Sequence, residues 1–186
     1  LEFCLALGGN KEDVLPFACA LEMVHAYSLI HDDLPCMDDD DMRRGKPSCH
    51  IAFGEANALL AGDGLLTKAF EVMAQHSKIP PERTVLAVGV LAQAIGHHGM
   101  IGGQRMDLQN EGKEVGIEVI EQTNRLKTGA LIIAAAQLGC IAAGADSKMT
   151  ELAKKYAEQI GLAFQITDDI LDCTSSAEVL GKPIGS

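Results

Sequence analysis

The sequence concentrates carboxylates in two short segments. In the first, residues 32–41 (DDLPCMDDDD), six aspartates lie within ten positions. Two bare unit charges about 4 Å apart repel each other by about 4 kcal/mol at intermediate dielectric, so a cation is expected to hold such a cluster. Carboxylate oxygens suit Mg²⁺, which binds one or two of them and completes its shell with water and phosphate. A solvated acidic helix cap is the alternative, and this segment alone favours it.

The second acidic segment is QITDDILD, residues 165–172. Gln165, Asp168, Asp169 and Asp172 stand at offsets 0, 3, 4 and 7, which places them on one face of a helix. Two acidic helix faces in one chain favour metal binding over two unrelated caps. Neither segment has the alternating ligands, central glycine and terminal glutamate of a calcium-binding EF-hand, so that class is excluded.

Basic residues follow the first segment directly, at Arg43 and Arg44. They could neutralise the aspartates, or recognise phosphate as a bidentate fork beside a bound metal, and both interpretations stay open. His25 and Asp32 are seven residues apart, so they share a helix face and lie roughly 10 Å apart along its axis. One helix could therefore contact two parts of a substrate.

Histidines and cysteines predict neither a zinc site nor disulfides. Four histidines without a partner at zinc-ligand spacing are interpreted as structural: His31, His50, His97 and His98. The six cysteines occur singly, without a CxxC pair. They are interpreted as reduced core thiols, which indicates a cytoplasmic protein.

Composition favours an all-α chain of one domain, residues 1–186. The chain is 47% hydrophobic but only 4% aromatic, and its alanine and leucine content favours helices. Helical periodicity covers residues 10–34, 55–75, 81–111, 116–126, 130–144 and 147–173, and no segment alternates like a strand. The formal charge of −11 argues against binding nucleic acid, which requires basic residues.

The longest uncharged run and the two ends raise separate questions. Residues 130–145 contain Gln137 and are shorter than the roughly 20 residues of a membrane span, so they predict a buried helix and no span. The chain starts with LEFCLALGGN and ends with GKPIGS. We expect that it is incomplete at both ends and that a targeting segment could precede it.

Five motifs together resemble the trans-isoprenyl diphosphate synthase family, closest to its bacterial farnesyl diphosphate synthases. They are HAYSLIHDDLPCMDDDDMRRGKP, AGDGLL, MIGGQRMDL, LKTGAL and FQITDDILD with LGKPIG. They occur in the family's order and cover most of the chain. The resemblance implies the isoprenoid synthase (terpenoid synthase) fold, with long antiparallel helices around a central cavity, and a homodimer.

The resemblance also implies a metal site and a reaction. Three Mg²⁺ ions would be held by Asp32, Asp38 and Asp168, with Asp33, Asp169 and Asp172 in support. An allylic diphosphate would ionise there, and isopentenyl diphosphate would attack the carbocation head-to-tail. The Mg²⁺ ions and cationic side chains would stabilise the leaving diphosphate, so no protein nucleophile is needed.

Substrate-binding residues follow from the same resemblance. The allylic diphosphate is expected to contact Arg43, Lys127 and Lys182, and isopentenyl diphosphate to contact His25 and Arg44. Oxygens around Thr128 and Gln165 would stabilise the carbocation, and Gln104 and Asp107 would position Lys127 and the metal's water shell. The structural alternatives are a helix break at 127–128, a core contact of Gln165 and a surface pair of Gln104 with Asp107.

Tyr27, five residues before the first aspartate, is expected to set product length. Its bulky ring favours farnesyl diphosphate, whereas a small residue there favours the geranylgeranyl product of the alternative synthase. A terpene cyclase is the less favoured enzyme, because it usually carries a single DDxxD motif. A regulatory subunit tends to lose motif aspartates, which are intact here, and a purely structural helical protein would not bind diphosphate with Mg²⁺.

Overall fold

The computed structural model describes residues 1–174, apart from the side chains of Asp169, Asp172, Cys173 and Thr174. Its helices are α1 (Glu2–Ala6), α2 (Lys11–Asp32), α3 (Cys49–Phe53), α4 (Glu55–His76), α5 (Pro81–Ile95), α6 (Met100–Asn110), α7 (Ile117–Asn124), α8 (Ala130–Ala143) and α9 (Ser147–Thr174). Two short strands, β1 (Met42–Arg43) and β2 (Lys46–Pro47), form a hairpin. The predicted all-α class is confirmed, with this hairpin as an addition.

The chain forms two compact units. One comprises Leu1–Leu21 with Phe70–Ala163, and the other comprises Glu22–Ala69 with the described residues that follow Ala163. The unit boundaries fall within the residue ranges of α2, α4 and α9. Both acidic segments belong to the second unit, which we call the acidic unit. The first is called the core unit below.

The core unit is built around α8. Helices α5 and α1 both pack on α8, whose buried positions include Leu138, Cys140 and Ile141. Arg83 of α5 donates from Nη1 to the carbonyls of Ile141 and Ala142, at 3.2 Å each, which satisfies acceptors at the end of α8. The prediction of a buried helix for residues 130–145 is therefore confirmed.

Two predicted helix boundaries in this unit were wrong. Apolar periodicity predicted one helix over 81–111, but the chain leaves the helix between α5 and α6. The backbone turns so tightly that a Cβ on Gly99 would lie 1.9 Å from the Ala94 carbonyl oxygen. The alternative break at Lys127 and Thr128 does not occur, because a π-helical turn, Arg125–Gly129, joins α7 to α8.

The π-helical turn lies directly against α6. A Cβ on Gly103 of α6 would lie 2.2 Å from the Lys127 amide nitrogen. Only a glycine therefore permits this approach of the two backbones. Such wide turns within helices frequently mark functional sites.

In the acidic unit, the hairpin is closed by a two-residue turn. Arg44 and Gly45 connect the paired residues Arg43 and Lys46, with φ of 52° and 73°. Two successive positive φ angles are typical of the type I′ turn, whose twist matches that of paired strands. The Ser48 amide donates to the Asp41 carbonyl at 2.9 Å, which ties the hairpin's base to the first acidic segment.

The cysteines are less uniformly buried than expected. Within the described side chains all are free thiols: Cys4 and Cys140 are buried, Cys49 is intermediate, and Cys19 and Cys36 are exposed. Burial raises the pKa of the Cys4 and Cys140 thiols. The prediction of core thiols therefore holds for these two and is wrong for Cys19 and Cys36, which are exposed.

Helix length adds an observation on membranes. By length and composition alone, three segments among the described residues are long and apolar enough to cross a membrane. They are Lys11–Asp32, Pro81–Asn110, which includes the turn between α5 and α6, and Ile117–Ala143, which includes the π-helical turn. Only the last of these segments contains part of the uncharged run of residues 130–145. The absence of a membrane span therefore stays a prediction.

We predict that Gly103→Ala destabilises the protein by about 1 to 3 kcal/mol, because the added methyl group meets backbone that must move. Gly89→Ala is the matched control, since a Cβ there meets nothing within 4 Å. It should stabilise the helix by up to about 1 kcal/mol. Urea denaturation of both variants measures the difference, and equal free energies of unfolding would show that the close approach does not exist.

Candidate functional site

The first acidic segment forms a closed loop at the C-terminal end of α2. The Asp38 amide donates to the Asp32 carbonyl at 2.9 Å, and the Asp39 amide donates to the Leu34 carbonyl at 3.2 Å. The chain therefore returns Asp38 to the neighbourhood of Asp32. Carboxylates are disfavoured here, because the end of a helix carries partial negative charge from its carbonyls.

Arg43 neutralises part of this charge. Its Nε donates to both carboxylate oxygens of Asp33, at 3.0 and 3.3 Å, and its Nη2 donates to the same carboxylate. Nη2 also lies 3.4 Å from Asp40 Oδ2. Asp33 is buried. The hydrogen bond with Asp33 is the main cause that raises the pKa of Arg43, so the guanidinium stays charged.

The sequence did not predict that Asp33 is the carboxylate that pairs with Arg43. The sequence left Arg43 between neutralising the aspartates and binding phosphate, and it placed Asp33 near the metal. The structure brings the two side chains together, so Arg43 neutralises Asp33 here. The roles of Arg43 toward diphosphate and of Asp33 toward a metal stay predictions.

Arg44 lies beside this pair in the hairpin turn. Its φ of 52° is in the left-handed region of backbone conformation, which residues other than glycine and asparagine rarely adopt. The residue is exposed. Unfavourable backbone conformations cluster at ligand-binding sites, where the surrounding structure must hold them. The turn therefore presents one arginine to solvent while its neighbour is held by Asp33.

Tyr27 lies in the acidic unit, one turn and a half before the end of α2. Its side chain is buried, and its hydroxyl has no hydrogen-bond partner among the described residues. Burial, and secondly the charge of Asp32, raises the pKa of Tyr27. The ring also contacts the His31 ring edge-on, with centroids 5.6 Å apart. His25, on the same helix, is half-buried.

The core unit holds Lys127, the remaining basic residue of the predicted site that the structure describes. Lys127 Nζ donates to Asp107 Oδ2 at 2.6 Å, which brings together two residues of the MIGGQRMDL and LKTGAL motifs. Thr128 is half-buried in the same π-helical turn. The amide nitrogen and oxygen of Gln104 are buried without a hydrogen-bond partner in the described part of the chain. Because its amide group is buried, Gln104 does not form the surface pair with Asp107 that was the alternative. The buried amide is available for a polar contact with another group.

The second acidic segment lies on α9, as its spacing predicted. Gln165 is half-buried and Asp168 is exposed. The backbone remains helical through Thr174, so the spacing of the segment holds along α9. The predicted roles of the Asp169 and Asp172 side chains, and of Lys182, lie outside what the structure describes.

The donor chemistry of the acidic unit fits magnesium. Among the described side chains, no three carboxylate, imidazole or thiol groups converge as a complete ligand set. Mg²⁺ does not require one, because it takes one or two carboxylates and keeps waters or phosphate oxygens in its remaining positions. Asp32 and Asp38, brought near each other by the loop, supply oxygen donors of this kind.

Comparison with known proteins gives this arrangement a context. The family model described as Polyprenyl synthetase matches residues 1–186. Geranylgeranyl pyrophosphate synthase 7 of Arabidopsis thaliana is 50% identical over 98% of this chain and 53% of its own length. Farnesyl diphosphate synthase of Geobacillus stearothermophilus is 48% identical over 97% of this chain and 62% of its own length.

A solved structure shows the fold. The geranyltransferase of Helicobacter pylori, complexed with magnesium and isoprenyl diphosphate, matches with a TM-score of 0.85 and 35% identity, covering 91% of this chain and 56% of that chain. The predicted isoprenoid synthase fold is thereby confirmed. The chain spans between about half and two thirds of the length of the relatives it matches. Because the family model accounts for all of its residues, the chain belongs to the polyprenyl synthetase family.

Proposed function

We propose that the protein is a trans-prenyltransferase, which joins isopentenyl diphosphate head-to-tail to an allylic diphosphate. The observation that carries the proposal is the closed loop at the end of α2, where the Asp38 amide bonds to the Asp32 carbonyl. This loop gathers carboxylates at a helix end whose partial negative charge disfavours them, so a bound cation would stabilise them. Two relatives that make prenyl diphosphates, each matching nearly all of this chain, support the same reaction type.

The metal in the proposal is Mg²⁺, which Asp32, Asp38 and Asp168 would hold. When bound, it supplies electrostatic stabilisation of the charge that develops on the leaving diphosphate. The neighbour from Helicobacter pylori was solved with magnesium, which supports this choice of ion. We propose three ions, with indirect support from Asp33, Asp169 and Asp172.

Cationic side chains would bind the two diphosphates. We assign Arg43, Lys127 and Lys182 to the allylic substrate, and His25 and Arg44 to isopentenyl diphosphate. Asp33 orients the Arg43 fork and Asp107 orients the Lys127 ammonium before any substrate binds. Such preorganised charge stabilises developing negative charge without reorganisation during the reaction.

The reaction proposed has three steps. The carbon–oxygen bond of the allylic diphosphate breaks, and its electron pair leaves with the diphosphate. The double bond of isopentenyl diphosphate then attacks the carbocation, and loss of a proton to the diphosphate restores a double bond. Oxygens of Thr128 and Gln165 would stabilise the cation, while apolar helix walls would keep water away from it. Gln104 and Asp107 would position Lys127.

The product proposed is farnesyl diphosphate. Tyr27 lies five residues before Asp32, which is about 7.5 Å along a helix, and its side chain is buried. We propose that its ring blocks the path of a growing chain. Geranylgeranyl diphosphate is the second candidate, because the Arabidopsis synthase of that product is about as similar as the bacterial farnesyl synthase. Identity alone therefore does not choose between the two products.

Assembly and location complete the proposal. We propose a homodimer in the cytoplasm, with the two prenyl diphosphates as its small-molecule partners. The free thiols among the described cysteines agree with a reducing compartment. The family resemblance supports the dimer.

We predict that the full-length protein binds pyrophosphate in calorimetric titration only when Mg²⁺ is present. Asp32→Asn should weaken this binding at least about tenfold, because it removes a ligand oxygen's charge. Asp41→Asn is the matched control, since it removes the same charge from the same segment and should change binding far less. Equal pyrophosphate binding with and without Mg²⁺ would contradict the proposed function.

We predict that Asp33→Asn lowers the free energy of unfolding by about 2 to 3 kcal/mol, because Arg43 loses the partner that holds it in a largely buried site. It should also raise the Michaelis constant for the allylic substrate. Asp41→Asn again serves as the control. Urea unfolding that gave the same stability for both variants would show that the pair does not hold the hairpin.

We predict that Tyr27→Ala lengthens the main product, since it removes the ring from the path of the growing chain. Tyr27→Phe keeps the ring and should keep the product of the parent protein. Chromatography of dephosphorylated products, with labelled isopentenyl diphosphate, measures chain length. If the alanine variant forms nothing longer than the parent does, another residue stops elongation.

A further inference from the structure

His31 makes a specific contact with α4 inside the acidic unit. Its Nε2 lies 3.0 Å from the Leu59 carbonyl oxygen, and 4.0 Å from Asp63 Oδ1. A carbonyl only accepts hydrogen bonds, so Nε2 must carry the proton and donate. The residue thus ties the last turn of α2 to a neighbouring helix.

The opposing helix has a gap in which the imidazole fits. A Cβ on Gly62 of α4 would lie 2.0 Å from His31 Nε2 and 2.3 Å from its Cδ2. Any other side chain at this position would collide with the ring. Gly64, two residues further along the same helix, has nothing within 4 Å of a Cβ. Close packing therefore explains a glycine at 62 and does not explain one at 64.

His31 also stands between two residues that the proposed function uses. It precedes Asp32 directly, and it follows Tyr27 by four residues, which places both rings on one helix face. The Tyr27 and His31 rings meet edge-on, at an interplanar angle of 82°. Terminal turns of helices fray readily, because their last carbonyls lack partners within the helix. A hydrogen bond from His31 in this turn would therefore hold both Asp32 and Tyr27 in place.

We propose that His31, seated against Gly62 and bonded to the Leu59 carbonyl, is a positioning residue that orients the Asp32 carboxylate and the Tyr27 ring together. It thereby couples Mg²⁺-dependent diphosphate binding to product length. The inference rests on the proposed function, which assigns Asp32 to the metal and Tyr27 to chain length. A merely structural contact would change stability alone and leave both properties as they are.

Two substitutions of His31 separate the hydrogen bond from the filled space. His31→Gln retains an amide donor near the position of Nε2, whereas His31→Phe keeps a ring and removes the donor. The phenylalanine variant should weaken Mg²⁺-dependent pyrophosphate binding about 3- to 10-fold, the value of one lost hydrogen bond. Its product distribution should also shift in length, while the glutamine variant stays close to the parent in both measurements.

Two substitutions in α4 test the gap from the other side. Gly62→Ala forces the ring out and should reproduce the weaker pyrophosphate binding and the altered product length of His31→Phe. Gly64→Ala makes the same chemical change where space is open, and should match the parent. This pair also decides the question if His31→Phe does not fold.

The outcomes distinguish this inference from the proposed function. A parent protein that neither binds pyrophosphate with Mg²⁺ nor forms a prenyl product overturns the proposed function and this inference with it. A parent that does both, while Gly62→Ala matches Gly64→Ala in binding and product length, overturns the inference alone. A Gly62→Ala variant that loses stability but keeps the pyrophosphate binding and product length of the parent also overturns the inference alone.

Discussion

Charge repulsion at the C-terminal end of α2 is the constraint on which the rest of the acidic unit depends. The helix end contributes about half an elementary negative charge, and the segment of residues 32–41 adds six carboxylates to it. The chain carries a formal charge of −11, so acidic residues outnumber the basic residues that could neutralise this segment. Arg43 offsets Asp33 and Asp40. A divalent ion bound near Asp32 and Asp38 would lower the repulsion that remains.

The hairpin after α2 follows from the same constraint. The chain reverses within two residues directly after Arg43, and that reversal places Arg44 at a φ of 52°. The backbone conformation of Arg44 is costly, by about 1 to 3 kcal/mol for such positions. The Asp33 contact and the Ser48 to Asp41 hydrogen bond hold the hairpin against this cost. One arginine is thereby fixed while the other remains exposed.

The sequence predicted the elements of the site better than their contacts. Spacing alone placed the second acidic segment on a helix, and α9 confirms it. Periodicity could not reveal the break between α5 and α6, because apolar residues continue on both sides of it and the turn depends on close backbone contact at Gly99. The π-helical turn gives no local signal other than the KTG motif itself. The pairing of Asp33 with Arg43 joins residues ten positions apart across a loop. The neighbouring strands are two residues long, which is too short for their alternation to be detected in the sequence.

On this proposal, the end of α2 holds a divalent ion through the first acidic segment and presents it to a diphosphate. Crystals of the full-length protein grown with Mn²⁺ and pyrophosphate test it most directly, because anomalous scattering locates the metal independently of the protein. We expect a metal peak in contact with the carboxylates of Asp32 and Asp38 and with pyrophosphate oxygens. Pyrophosphate bound without a metal peak at these two aspartates would contradict it.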